Sequence, residues 1–157
     1  MHHYYLKNFG CMAVGVLLCF AAGYLLAQLE SPIVQRLVTP STGTDVEWAN
    51  KYVACGYFVA MATAFLALVW HSIALLDTGR DADLRRLWIL LGAAAVAIGL
   101  AVAIVLFPNA QSGLVFAQAA CVFNVVAAYW LGTVFWTPST HKYDPLGAPA
   151  MRGRLPL

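Results

Sequence analysis

LWILLGAAAVAIGLAVAIVLFPNAQSGLVFAQAACVFNVVAAYWLGTVFWTPSTH, residues 87–141, runs for 55 positions without an Asp, Glu, Lys or Arg. An α-helix needs about 20 apolar residues to cross a hydrocarbon core of about 30 Å. The run is too long for one crossing and breaks at Pro108-Asn109-Ala110-Gln111-Ser112-Gly113, a cluster of turn formers. It reads as two crossings joined by a tight turn. Upstream, residues 8–29 and 52–76 are charge-free for 22 and 25 positions, one crossing each. The expected fold is an all-α integral membrane protein, an antiparallel bundle of four transmembrane helices. The expected spans are about 9–29, 48–76, 84–107 and 114–136, followed by a Pro/Gly-rich tail at 137–157.

Composition points the same way. Apolar residues make up 62% of the chain and charged residues 10%, against about 45–50% and 25% in soluble domains. A water-soluble fold of 157 residues has too much surface for its volume to hide that much apolar area. Four spans leave no room for a separate soluble domain, so any chemistry belongs in the bundle or at its rims. A net charge of +2 argues for no nucleic-acid partner.

The placement of the basic residues sets the expected orientation. Lys7, Arg80, Arg85, Arg86, Lys142, Arg152 and Arg154 fall on one side of a four-span hairpin, and only Arg36 and Lys51 on the other. Basic residues near span ends are retained in the cytoplasm. Both termini are therefore expected to be cytoplasmic, in the inner (plasma) membrane of a cell taken as bacterial from the compact, Ala/Gly-rich design. Span one is longer than the 7–15-residue core of a secretory signal, and is expected to stay as an anchored span. Pro32 and Pro40 are expected to break an external loop beginning at Glu30. Trp48 and Trp70 stand about 33 Å apart along a helix, the spacing of two interfacial anchors, and Trp88 marks the cytoplasmic entry of span three.

Small residues recur every fourth position in each span. The rows are Cys11, Gly15, Cys19, Gly23 and Ala27; Gly56, Ala60 and Ala64; Ala95, Gly99 and Ala103; and Ala120, Asn124, Ala128 and Gly132. Four-residue spacing lines one helix face, where small side chains let membrane helices approach closely. Gly15, Gly23, Gly56, Gly99 and Gly132 are the expected packing points, within the chain or against a neighbouring subunit.

Chemistry-bearing residues are sparse. Cys11, Cys19, Cys55 and Cys121 form no Cys-x-x-Cys pair, and no Cys/His spacing suits zinc. Cys55 and Cys121 lie at similar depth, the one arrangement open to a membrane thiol redox enzyme; the commoner reading of a buried Cys is a small apolar packer. His71 lacks a second His at matching depth for haem, so no cofactor or metal is expected. Asn124, midway along span four, needs a partner because an unpaired amide in hydrocarbon is costly. It reads as interhelical adhesion or, with Thr63 and Gln118, as the polar lining of an oligomeric pore. The charge-free runs argue against a proton- or ion-coupled carrier. Signatures of tetraspan thiol oxidoreductases, small multidrug exporters and small transporter subunits are not met. The leading expectation is a non-catalytic subunit of a larger inner-membrane assembly (transport, secretion, envelope or defence), with lipid and membrane-protein partners or self-association. The alternatives are a homo-oligomeric channel or conduit and, third, a thiol redox enzyme.

Overall fold

The computed structural model describes residues 2–37, 45–76, 81–106, 113–137 and 145–147. Four helices account for nearly all of them: α1 (His2–Leu37), α2 (Asp45–Leu76), α3 (Asp81–Leu106) and α4 (Gly113–Val134). Each contains a segment long and apolar enough to cross a membrane. The chain is a multi-pass membrane protein. The turn at 108–112, the Arg80 end of the middle connection, the side chains of Asp81 and Trp48, and most of the tail lie outside the described residues.

α1 departs from expectation. It continues eight residues past Leu29 and carries Pro32 inside it, so Glu30 belongs to a helix and not to a loop. Proline deprives the carbonyl four residues back of its partner and crowds it. Here, however, Pro32 sits near the helix end with its ring exposed, and its fixed φ suits a helix. At 1.5 Å per residue the 36-residue α1 is about 54 Å long. That exceeds any hydrocarbon core, and the excess requires tilt or projection.

Apart from aromatics such as Tyr52, Trp70, Trp88 and Tyr129, which are buried, side chains are largely sorted by size. The buried apolar set is dominated by alanine: Ala27, Ala60, Ala64, Ala67, Ala74, Ala95, Ala103, Ala117 and Ala128. Large side chains such as Leu17, Leu29, Phe58, Phe65, Leu90, Val105 and Phe123 point outward. Lipid tails are as apolar as leucine, so outward leucine costs nothing, and inward small residues gain close backbone packing.

The small-residue rows meet one another. A β-carbon added at Gly56 would lie 2.1 Å from that of Ala27, and one at Gly23 would lie 3.2 Å from that of Ala60. One at Gly15 would lie 2.5 Å from the Gly132 carbonyl oxygen, and one at Gly132 would lie 2.6 Å from the Cys19 β-carbon. One at Gly99 would lie 3.1 Å from a Val125 methyl and 3.7 Å from a Val59 methyl. α1 thus lies directly against α2 and α4, and α3 closes the other side.

Replacing Gly15 or Gly132 by Ala is expected to lower unfolding free energy by roughly 1–3 kcal/mol through overpacking. Gly10→Ala, where the new methyl meets nothing within 4 Å, is expected to be neutral or to gain up to about 1 kcal/mol from helix propensity. Denaturant titration in mixed micelles checks the contrast.

Candidate functional site

The polar heart of the bundle forms around a carboxylate. Because α1 stays helical through Glu30, and Ala27 lets α2 close in at Gly56, the Glu30 side chain reaches between the helices. Its Oε2 accepts hydrogen bonds from the Tyr52 hydroxyl of α2 at 2.5 Å and from Asn124 Nδ2 of α4 at 2.7 Å. Tyr52 is 1% exposed and Asn124 3%. Each bond ties α1 to another helix and satisfies a polar group that hydrocarbon would leave unpaired. Asn124 Oδ1 remains buried without a hydrogen-bond partner.

A thiol pair lies beside this clasp. Cys55 and Cys121 bring their Sγ atoms to 3.5 Å across α2 and α4. Cys55 follows Tyr52 by three residues and Asn124 follows Cys121 by three, so each thiol shares a helix face with a member of the clasp. Both cysteines are free and buried. Cys11 and Cys19 occur on α1, separated by about 12 Å of helix rise.

At the far end of α4 a second polar group serves the backbone. α4 stops at Val134, which leaves its last four carbonyls without helical partners. His71 Nε2 donates to the Gly132 carbonyl at 2.9 Å, which requires its proton on that nitrogen. Gly15 and Gly132 leave room for the ring. The Thr137 amide and hydroxyl both donate to the Thr133 carbonyl. Thr133 donates its own hydroxyl to Tyr129 O at 2.6 Å and accepts the Trp88 indole N–H at 2.9 Å. Thr137 likewise accepts the Trp70 indole at 3.0 Å, and the Tyr129 hydroxyl donates to Trp88 O at 3.1 Å. Threonines that bond backward along their own helix keep lone pairs free for a neighbour. Trp70 and Trp88 are therefore interior residues, at 0% and 8% exposure; Trp70, one of the two interfacial anchors expected from spacing, faces into the bundle. From the tail, Leu146 O accepts the Trp130 indole at 2.9 Å, with Gly147 turning at φ +85°.

Of the polar candidates named from sequence, Asn124 faces into its own bundle. Thr63 is buried and spends its hydroxyl on the Val59 carbonyl of its own helix at 2.7 Å. Gln118 is half-buried, and neither joins the Asn124 clasp. Glu30 and Tyr52 were missed. By sequence Glu30 falls in an expected loop, and nothing in the spacing of Tyr52 distinguishes it from a packing aromatic. The expectation of spans free of acid is corrected accordingly: a carboxylate is bonded to an amide halfway along α4.

The cluster can do two kinds of chemistry. A carboxylate can take up or release a proton, and adjacent thiols can exchange two electrons. Among the described residues no three His, Cys, Asp or Glu side chains gather as a metal site. Comparison with models of known families, with curated proteins and with solved structures finds no match in any of the three.

Thr133→Val is expected to cost about 1–3 kcal/mol, since it strands the buried Trp88 N–H. Thr133→Ser, which keeps the hydroxyl, is expected to lose much less. Thermal unfolding in detergent, followed by tryptophan fluorescence, checks both.

Proposed function

We propose that this chain is a non-catalytic integral subunit of a larger inner-membrane assembly, crossing the bilayer four times with both termini in the cytoplasm. The antiparallel arrangement is supported by contact order: Gly23 packs on Ala60 while Ala27 packs on Gly56, so numbering runs oppositely along α1 and α2. The seven-to-two distribution of basic residues supports the orientation.

One observation carries the subunit reading. Most polar side chains of the core bond to one another or to helix ends, Asn8 Nδ2 and Asn124 Oδ1 excepted, while the outward surface is large, apolar and aromatic. Such a molecule offers other membrane proteins shape and apolar contact, and it keeps its few reactive groups inside. A homo-oligomeric conduit would need polar groups on a shared axis. Asn124 and Thr63 are instead 3% and 1% exposed within one chain.

Extraction in mild detergent followed by native mass measurement tests the reading. The expected result is a complex whose mass includes unlike chains. A species at one chain's mass, or at a whole-number multiple of it, contradicts the proposal; a multiple favours the conduit.

A further inference from the structure

We propose that Cys55 and Cys121 form an intramembrane disulfide, a redox lock joining α2 to α4, with hydrogen peroxide as its oxidant. The proposal is independent of the subunit reading, because it concerns the chain's own thiols whether or not partners are present.

The geometry comes first. The two Sγ atoms are 3.5 Å apart, and an S–S bond is about 2.05 Å long. Closing the difference takes an approach of roughly 1.5 Å, within the reach of side-chain rotation and a small helix adjustment. The pair is 0% and 3% exposed, so the oxidant must be small, uncharged and able to enter a packed bundle. Peroxide meets these demands, whereas a protein disulfide or charged glutathione does not. The same burial shields the bond, once formed, from charged thiol reductants.

The bonds balance without a further group. One sulfur attacks the peroxide, forming an S–O bond and breaking O–O. The departing hydroxide takes that thiol's proton and leaves as water. The second sulfur then displaces the hydroxyl of the sulfenic acid, forming S–S and breaking S–O, and its proton leaves with that hydroxyl as a second water. Two thiols lose two electrons, and one peroxide is reduced to two waters. The product ties α2 to α4 beside the contact that ties both to α1.

The test counts thiols. Full-length protein in native membranes is treated with hydrogen peroxide, quenched, denatured in SDS and alkylated with polyethylene-glycol maleimide. Wild type is expected to fall from four adducts to two. The double variant Cys11→Ser/Cys19→Ser is expected to fall from two to none, and Cys55→Ser to keep all three. The intact mass should drop by two hydrogens with no oxygen added. Glutathione added before denaturation should restore no adducts, but should restore two after it. Four adducts surviving peroxide, an oxygen-bearing mass, or an equal loss in Cys55→Ser overturns the disulfide. Ready reduction by glutathione in the native membrane overturns the sealed lock.

Discussion

Hydrocarbon offers a polar group nothing to bond, and that constraint organises this molecule from its helix ends to its centre. Every backbone amide inside a membrane must find its partner within the chain, which four long helices achieve along their lengths. The harder places are the ends of helices and the polar side chains. At the end of α4 the carbonyls of Gly132 and Thr133 are met by His71 and Thr137. The same threonines take up the indole protons of Trp88 and Trp70. One set of side chains thus closes a helix and satisfies two large aromatics.

Packing and bonding depend on each other here. Gly15 and Gly132 bring α1 and α4 within backbone contact, and only then can the His71 ring fit beside both. Gly56 receives Ala27 in the same way, and one turn further along α1 Glu30 comes within reach of Tyr52 and Asn124. Lipid gives no hydrophobic drive for helices to associate. Close van der Waals contact and interhelical hydrogen bonds must supply it, and the small-residue rows make both available. The carboxylate is the costliest group placed this way, and it engages three of the four helices.

The spans were legible because the absence of charge over 20 or more residues has one physical reading. The four-residue rows were legible as faces, since small residues serve close approach. Glu30 was not, because counting charge ends a span at its first acid, and Pro32 two residues on is the residue that commonly breaks a helix. A proline near a helix terminus breaks one bond without ending the helix. The inward face of Trp70 was not legible because interfacial belts and buried hydrogen-bonded indoles draw on the same residue at the same positions; the Thr137 partner that separates the two cases lies 67 residues away. The approach of Cys55 to Cys121 across 66 residues was open from matching depth alone, since depth does not fix which faces meet.

If Glu30 and Asn124 hold each other across the bundle, their contributions to stability cannot be independent. A double-mutant cycle with Glu30→Ala, Asn124→Ala and the pair, read by reversible unfolding in mixed micelles, measures that dependence directly. The expected coupling is about 0.5–3 kcal/mol between residues 94 positions apart in sequence. Costs that simply add, within about 0.3–0.5 kcal/mol, would mean that the two side chains do not meet and that no carboxylate organises the centre of this bundle.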